Sequence, residues 1–412
     1  MVRQPLPTGV EIRGNSICIW FIFRGKRCRE ILKGWANTPA NIKKAGNLRS
    51  MIVSEINLGE FSYHNRFPTS KNASKYDAEK WVSSFFELTE QWLKTKSVEV
   101  SPGTFVSIKS QISVLNRVVG EHTMVESITH NSILAYRHEL LHGATFYSHR
   151  PNKIGRSVRT VETYVSLLCR IMKFAHRSGF ITSKPFEEIT KLKSTKAKPD
   201  PLLKSEYSAL LAAMRGQTKN LFQLAFYSGM RHGELSALAW EDIDLDTGII
   251  HVSRNLNKLG IFGPPKTRAG NRVITLLAPA LEALKAQREL TELQPRTEIT
   301  FQHREYRKTE QQHVRFVFQP REVNNEKKPH YCSSTIATLW NTAIKRSKVR
   351  RRTPYHTRHT YACWLLSAGA NPAFIASQMG HENSKMVFEV YGTWIEEMNY
   401  EQVKILNTKL AI

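Results

Sequence analysis

The sequence has few of the features that mark secreted, membrane-spanning or zinc-binding proteins. Its 412 residues include five cysteines, an odd number with no CxxC pair: Cys18, Cys28, Cys169, Cys332 and Cys363. This set favours neither a disulfide framework nor a zinc site, and it is typical of a reducing, cytoplasmic setting. The longest apolar run near the start, 17–23, has seven residues, whereas a helix needs about 20 to cross a bilayer. No signal-peptide pattern is present, so we expect no membrane, metal or cofactor among the partners.

Acidic residues are also scarce relative to basic ones. The chain has 60 Lys and Arg against 35 Asp and Glu, a formal net charge of +25. A polyanion relieves the self-repulsion of such a chain, and the first polyanion to consider is nucleic acid. The hydrophobic share of 41% is ordinary for globular proteins, and a chain of this length folds into about two to four domains.

Changes of pattern divide the chain into three predicted domains. Turn signals around a β-rich run predict a small antiparallel sheet at 10–31, followed by a helix at 39–58. Helical spacing of apolar residues then predicts helices at 77–95, 102–119, 130–142 and 157–178. Beyond a basic, proline-bearing linker, a mixed α/β but mainly helical region has strands at 249–254 and 271–277 and helices at 204–215, 219–229, 279–290, 333–347, 356–369, 372–379 and 384–397. We place the domains at 1–67, 75–182 and 200–412, and we leave 291–330 unassigned because it shows no clear period.

Three groups of basic residues are candidates for contacts with DNA. Arg24, Lys26, Arg27 and Arg29 lie in the predicted sheet, Lys193, Lys196 and Lys198 in the linker, and Lys345, Arg346, Arg350, Arg351 and Arg352 just before the helix at 356. The aromatic residues of the first group (Trp20, Phe21 and Phe23) either contact a DNA groove or form the core of a small domain. The linker lysines are equally consistent with a solvated strap.

Five residues of the last region are candidates for chemistry. Taken singly, each has an ordinary explanation as a helix pair, a solvated lysine, a helix cap or a core tyrosine. Together they form a complete set for breaking and rejoining a phosphodiester. The five are Arg231, Lys266, Arg358, His381 and Tyr391. Guanidiniums and an imidazole stabilise the charge that grows on the non-bridging oxygens, a lysine protonates the leaving alkoxide, and a tyrosine hydroxyl attacks phosphorus.

The blocks that contain these residues resemble the tyrosine recombinases, or phage-type integrases. The blocks are 228–235 (SGMRHGEL), 358–362 (RHTYA) and 379–381 (MGH) followed by Tyr391, and they stand in the family's order. The segment from Gly9 to Arg29 is similar to the arm-type DNA-binding domain of some phage integrases, and 77–181 to their helical core-binding domain.

The resemblance implies a role for each residue. Arg231 and Arg358 would hold the scissile phosphate with His381, and Lys266 would protonate the departing 5′ oxygen. Tyr391 would form a 3′-phosphotyrosyl link without metal or ATP. The resemblance also implies double-stranded DNA with core and arm sites as the substrate. It further implies a homotetramer on DNA, a DNA-bending host factor, an excision factor and integration or excision of a phage or other mobile element.

Two departures from the family pattern concern the supporting residues. The family usually has a histidine three residues before the second arginine, where this chain has Tyr355, with His356 one position later. Either side chain is a candidate replacement. The interval from His381 to Tyr391 is ten, where nine is commoner in the family. Glu234 is a further candidate, as support for Arg231.

Three other functions remain open at this stage. A type IB topoisomerase uses the same chemistry without strand exchange, but the arm-like N-terminus argues against it. A non-enzymatic DNA-binding protein on a recombinase scaffold is consistent with Tyr355, although the other five positions are filled. A basic RNA-binding protein is disfavoured because no RRM-like aromatic motif is present.

Overall fold

The computed structural model describes residues 5–23, 25–58, 60–73, 84–147, 150–194, 199–320, 329–396 and 407–408. The chain forms two compact units. The first combines 1–92 with 113–190, and the second combines 93–112 with 191–412.

The first unit begins with a three-stranded antiparallel sheet covered by a helix. Its elements are β1 (Val10–Arg13), β2 (Ser16–Phe23), β3 (Lys26–Ala36), α1 (Pro39–Leu58) and the short α2 (Tyr63–Arg66), and the strand order is β1-β2-β3. Alternation along β2 sends Ile17, Ile19 and Phe21 into a core under α1. Sheet and helix were both predicted, and β3 runs five residues beyond the predicted end of the sheet at residue 31.

Trp20 lies on the other face of this sheet. Its ring is contacted by the guanidinium of Arg27, whose carbon is 3.9 Å from the ring centroid. Phe21 is fully buried and Phe23 packs against the same core. The core interpretation therefore applies to the two phenylalanines, and a contact of Trp20 with DNA stays a prediction.

Four longer helices follow in the predicted order. They are α3 (Phe85–Glu99), α4 (Pro102–Val119), α5 (His130–His142) and α6 (Val158–Arg177). The N-terminal part of the first predicted helix, up to residue 83, lies outside the described residues. Serine and threonine side chains cap the last two helices: Thr129 accepts from Ser132 N, and Ser157 accepts from Thr160 N. A hairpin that the sequence analysis missed joins these two helices, with strands β4 (Ala144–Tyr147) and β5 (Arg150–Ile154).

The second unit is mixed α/β and mainly helical, as predicted. Its helices are α7 (Lys204–Ala212), α8 (Gly216–Ser228), α9 (His232–Ala237), α10 (Ala278–Thr291), α11 (Ser333–Ser347), α12 (His356–Ser367), α13 (Pro372–Met379) and α14 (Lys385–Glu396). Its main core surrounds the fully buried Trp340 of α11, against which Phe222 and Phe226 of α8 pack.

Two small sheets complete this unit. One has the order β10-β7-β6, with β6 (Ile243–Asp244), β7 (Ile249–Val252) and β10 (Arg272–Thr275). The other has the order β12-β11-β9-β8, with β8 (Asn255–Leu256), β9 (Phe262–Gly263), β11 (Thr297–Gln302) and β12 (Thr309–Val314). The unassigned region 291–330 thus supplies two strands, and the predicted loop between β7 and β10 contains a short hairpin.

Candidate active site

The carboxylate of Glu234 is the centre of the predicted site. Gly229 ends α8 in the left-handed conformation (φ 62°), and Arg231 is the residue just before α9. Glu234 is 1% exposed in the first turn of α9 and accepts hydrogen bonds from the backbone N and the Nη1 of Arg231, each at 2.9 Å. Arg272, the first residue of β10, donates to the same carboxylate from Nη1 at 3.2 Å and Nη2 at 3.0 Å. One buried carboxylate therefore fixes two guanidiniums from separate parts of the chain.

Arg272 also connects β10 to the end of α13. Its Nε donates to the carbonyl oxygen of Gln378 at 2.6 Å. Gly380 follows α13 with φ 66°, and a Cβ on it would lie 2.9 Å from the carbonyl oxygen of Ala269 and 3.0 Å from Cδ of Arg272. The left-handed backbone and the close approach together call for glycine here. They bring His381, the next residue, beside the arginine cluster.

Arg358 is buried in the first turn of α12, with 1% of its surface exposed. Its Nη1 donates to the carbonyl of Gly229 and its Nη2 to the carbonyl of Met379. Its Nε has no hydrogen-bond partner in the described part of the chain. The guanidinium thus joins the segment before Arg231 to the segment before His381, so three sequence motifs meet at one side chain.

The cluster carries an excess of positive charge. Its three arginines and one glutamate have a net charge of +2. His381 adds no charge, because burial, followed by the charge of Arg358, lowers the pKa of that ring to about 4. Burial and then the neighbouring charge of Arg231 lower the pKa of Arg358 to about 10. Burial alone would raise the pKa of Glu234, but the charge and hydrogen bonds of Arg272 outweigh it and the net pKa is lowered. An anionic oxygen entering this site relieves the repulsion between the guanidiniums.

The hydroxyl of Tyr391 lies within the same group of residues. Tyr391 is on α14 and 2% exposed, and its hydroxyl is 2.7 Å from Nδ1 of His359 on α12. The two ring centroids are 5.7 Å apart. Burial raises the pKa of the Tyr391 hydroxyl above its usual range, so the hydroxyl is protonated at neutral pH.

The two candidate replacements for the usual histidine occupy different positions. Tyr355 is 42% exposed and packs edge-on against His359, with centroids 5.1 Å apart. His356 turns back instead, because its Nδ1 is 3.0 Å from Oγ1 and 3.1 Å from the carbonyl oxygen of Thr353. Both rings therefore lie near His359, the neighbour of the candidate nucleophile, but the Nδ1 of His356 is engaged by Thr353 at the start of its own helix.

Lys266 is more loosely placed than the other four candidates. It lies on an exposed loop between β9 and β10. Arg304 fixes the backbone of this loop by donating to the carbonyl oxygens of Pro265 and, at 3.3 Å, of Lys266 itself. The Lys266 ammonium forms no ion pair with any carboxylate in the ranges that the structure describes. Arg304 therefore holds the main chain at this position, and Lys266 itself is exposed.

Most of the predicted DNA-contacting residues in the described ranges are exposed. Lys26, Lys193, Lys345, Arg346 and Arg351 are open to solvent, while Arg24, Lys196 and Lys198 lie outside the described residues. Three exposed arginines have acidic partners: Arg27 and Arg29 pair with Glu11 at 2.8 and 3.7 Å, and Arg350 pairs with Asp200.

Arg352 must be withdrawn from the predicted DNA contacts. Its side chain is 3% exposed and its guanidinium binds Asp200 at 3.1 Å and Glu206 at 2.9 Å. These two carboxylates take up the donors that a phosphate would need, and the burial removes the access. A run of arginines in the sequence does not reveal which member turns inward.

Two residues of the site escaped the sequence analysis. Arg272 stands at the start of the predicted strand 271–277, but no local pattern connects that position with Glu234 or Gln378. His359 directly follows Arg358 inside a quoted motif, but about 100° of helical rotation per residue separates their directions, so the motif alone did not connect it with Tyr391.

No cluster of three or more His, Cys, Asp or Glu side chains in the described ranges is arranged to bind a metal ion. No described helix combines the length and the apolar character needed to cross a membrane.

Comparison with known proteins identifies the family. The Arm DNA-binding domain model matches residues 7–71, and the Phage integrase family model matches residues 201–394. The prophage integrase IntR of Escherichia coli is 56% identical over 408 residues, which cover 98% of this chain and 99% of that protein.

Solved structures of integrases in complex with DNA have the same fold. The Tn1549 transposon integrase bound to a circular intermediate DNA has a TM-score of 0.59 at 17% identity, covering 75% of this chain and 95% of that chain. A lambda integrase tetramer bound to a Holliday junction has a TM-score of 0.52 at 15% identity, covering 94% of this chain and 96% of that chain. The predicted fold class, family and activity are confirmed: the chain belongs to the phage integrase family and is a site-specific tyrosine recombinase with an arm DNA-binding domain at its N-terminus.

Proposed function

We propose that Tyr391 is the nucleophile and that the arginine cluster binds the scissile phosphate of duplex DNA. The observation that carries this proposal is the position of the Tyr391 hydroxyl, 2.7 Å from His359, the residue that follows the buried Arg358. Attack by the tyrosine oxygen forms a bond to phosphorus while the bond to the 5′ oxygen breaks, which leaves a 3′-phosphotyrosyl link. A free 5′ hydroxyl later reverses the step on a new partner strand, so no energy source is needed.

The charge of the cluster supports the phosphate-binding role. The non-bridging oxygens gain negative charge in the transition state, and fixed guanidiniums stabilise that charge without rearranging. Arg231 is 24% exposed and held by Glu234, so it is the guanidinium that meets the phosphate first. The buried Arg358 stabilises the same negative charge electrostatically. The neutral His381 adds a hydrogen-bond donor.

Lys266 is proposed as the acid for the leaving 5′ oxygen. Its loop is fixed at the main chain by Arg304, while the exposed side chain is long enough to turn toward bound DNA. This arrangement lets the ammonium approach the leaving oxygen after the substrate has docked. Tyr355 takes the position of the usual family histidine and lies against His359.

The same proposal extends to organisation and partners. We assign arm-site binding to 1–67, core-site binding to 75–182 and cleavage to 200–412, and the matches at 7–71 and 201–394 support the first and last of these. The likeness to integrase–DNA complexes supports double-stranded DNA as the substrate and a homotetramer as the active assembly. A DNA-bending host factor and an excision factor belong to the same proposal, as does action in the cytoplasm on the DNA of a mobile element.

A covalent-complex assay tests the nucleophile. The substrate is a nicked duplex taken from the DNA that flanks the gene, so that cleavage releases a short fragment and traps the protein on the DNA. With a chelator present, wild-type protein should give a covalent band on a denaturing gel, and Tyr391→Phe should give none. Tyr355→Phe is the matched control, since it removes a hydroxyl from the neighbouring site tyrosine, and it should keep the band. A band that survives in Tyr391→Phe and vanishes in Tyr355→Phe would overturn the assignment.

A further inference from the structure

The hydroxyl of Tyr391 needs a partner that can remove its proton, and the structure offers one. Nδ1 of His359 is 2.7 Å from the hydroxyl oxygen, a normal hydrogen-bond length. The donor and acceptor come from different helices, α14 and α12, so the contact depends on the packing of the domain. None of the catalytic roles proposed above uses His359.

The neighbours of His359 explain why this side chain has that position. The imidazole is half-buried between three rings, with centroids 5.1 Å from Tyr355, 5.8 Å from His356 and 5.7 Å from Tyr391. The Tyr355 ring is nearly perpendicular to it (79°), and His356 is bonded to Thr353. Neither candidate replacement for the usual histidine is bonded to the Tyr391 hydroxyl, whereas His359 is.

The protonation state of the free protein suits an acceptor. Burial, then the charges of His356 and Arg358, lower the pKa of His359 to about 4, so the ring is neutral at pH 7. Since Tyr391 is protonated, Nδ1 accepts its hydrogen when the ring proton is on Nε2. The charged and titratable groups that face His359 are His356 and Arg358 on its own helix, Tyr355 before it, Tyr391 on α14 and His381 after α13. A bound phosphodiester adds negative charge among these groups and raises the basicity of the imidazole at the moment of reaction.

We propose that His359 is the general base of this recombinase, taking the proton of the Tyr391 hydroxyl during cleavage and returning it during strand joining. In cleavage the hydroxyl proton passes to Nδ1, the tyrosine oxygen bonds to phosphorus, the phosphorus–5′ oxygen bond breaks and Lys266 supplies the proton for the 5′ oxygen. In joining, the neutral Lys266 amine takes the proton of the attacking 5′ hydroxyl, the 5′ oxygen bonds to phosphorus, and the imidazolium returns its proton to the tyrosine oxygen as the phosphorus–tyrosine bond breaks. The step needs no co-reactant.

Two substitutions separate proton transfer from packing. His359→Phe keeps an aromatic ring between its neighbours and removes the acceptor. His359→Asn places an amide oxygen close to the position of Nδ1, so the hydrogen bond is kept but the proton cannot be taken. We expect single-turnover covalent-complex formation to slow by about 10²–10⁴-fold in the Phe variant. We expect the Asn variant to remain at least about tenfold slower than wild type, with duplex binding unchanged in both. A wild-type rate in His359→Asn would show that the residue only positions the tyrosine, and a wild-type rate in His359→Phe would remove it from the reaction.

A sulfur-substituted substrate identifies the end of the reaction at which His359 acts. A 5′-bridging phosphorothiolate leaves as a thiolate, which needs no protonation, because a thiol is a far stronger acid than an alcohol. The defect of Lys266→Ala should shrink on this substrate, whereas the defects of both His359 variants should persist. If sulfur also restores the His359 variants, the residue acts on the leaving group and the proposal is wrong.

This inference rests on Tyr391 as the nucleophile, and the same gels keep the two claims apart. A wild-type band that survives in Tyr391→Phe contradicts the proposed function. A band that depends on Tyr391 but forms at the wild-type rate in both His359 variants contradicts the general base alone.

The pH dependence of the cleavage rate gives a readout that a merely structural role would not change. The rate should rise with pH through the titration of the imidazole in wild type, and this rise should be absent in His359→Asn.

Discussion

A single carboxylate sets the geometry of the arginines in this recombinase. Glu234 is almost completely buried between Arg231 and Arg272, and an unpaired charge in such a place is strongly destabilising. Because Arg272 also holds the carbonyl of Gln378, one ion pair connects the motif of the first arginine with the segment that carries His381. Arg272 is therefore a positioning residue, since it reaches Arg231, the proposed phosphate ligand, through Glu234.

Arg272→Lys keeps the charge and removes the fork that makes several hydrogen bonds at once. We expect this change to lower the free energy of unfolding by about 2–4 kcal/mol and to slow cleavage more than it weakens duplex binding. Arg268→Lys, on the exposed turn before β10, is the matched control and should stay within about 0.5 kcal/mol of wild type. Urea unfolding and the covalent-complex assay measure the two effects. Equal losses in the two variants would contradict the role of Arg272.

The limits of sequence reasoning at this scale follow from the length of chain that separates the partners. Arg231, Arg358 and His381 stand in local patterns that a sequence displays. Arg272 bonds to Glu234 38 positions away, and His359 bonds to Tyr391 32 positions away. These pairings exist only because α9, β10, α12 and α14 pack together. The local pattern therefore predicted which chemistry is present and left out two of the groups that arrange it.

At the scale of elements, Arg352 joins α7 to the segment between α11 and α12. Its guanidinium binds Asp200 before α7 and Glu206 in the first turn of α7. Burial alone would raise the pKa of both carboxyls, but the hydrogen bonds of Arg352 outweigh this and the net pKa of each is lowered. The segment that leads into the active-site helix is thereby held against the start of the catalytic region.

Replacing Arg352 and its neighbour should separate folding from DNA binding. Arg352→Met should lower the free energy of unfolding by about 1–3 kcal/mol with little direct effect on duplex binding. Arg351→Met removes an exposed charge, so it should leave stability within about 0.5 kcal/mol of wild type and weaken binding. If Arg352→Met instead weakened DNA binding and left stability unchanged, Arg352 would return to the set of predicted DNA contacts.

The stability difference between Arg352→Met and wild type should depend on pH. The pKa values of Asp200 and Glu206 are lowered in the folded protein. These carboxylates therefore stabilise the fold fully at pH values above their unfolded-state pKa of about 4. This stabilisation is lost as the pH falls through the folded values. The difference should therefore be largest at neutral pH and shrink below about pH 4, as urea unfolding at a series of pH values would show. A difference that stays constant across this range would mean that the carboxylates are not the source.

Long periodic elements were predictable and short or one-sided strands were not. The helices at 39–58 and 333–347 have the bounds that the sequence analysis predicted. Strands β8 and β9 have two residues each, which is too short for an alternation to appear. Strand β12 is at the edge of its sheet and exposes most of its side chains. Its sequence therefore carries no apolar alternation, and its pairing with β11 decides its structure.

At the scale of the whole molecule, the net charge of +25 belongs to both compact units. Exposed lysines that were predicted to contact DNA occur in each, with Lys26 in the first and Lys345 in the second. Each phosphate that a lysine neutralises releases a counterion. The logarithm of the binding constant therefore falls linearly with the logarithm of salt concentration, by about 0.9 per phosphate contact.

Lys26→Gln and Lys345→Gln should each reduce the magnitude of this slope by about 1, nearly equally for specific and unrelated duplexes, because phosphate contacts carry no sequence information. Lys308→Gln is the control, since its ammonium is paired with Glu305 at 2.9 Å and should leave the slope unchanged. Fluorescence anisotropy with a labelled duplex across a salt series measures all three. A slope that stays at the wild-type value removes that lysine from the DNA footprint. If a substitution weakened binding to the specific duplex only, the lysine would contact bases rather than phosphates.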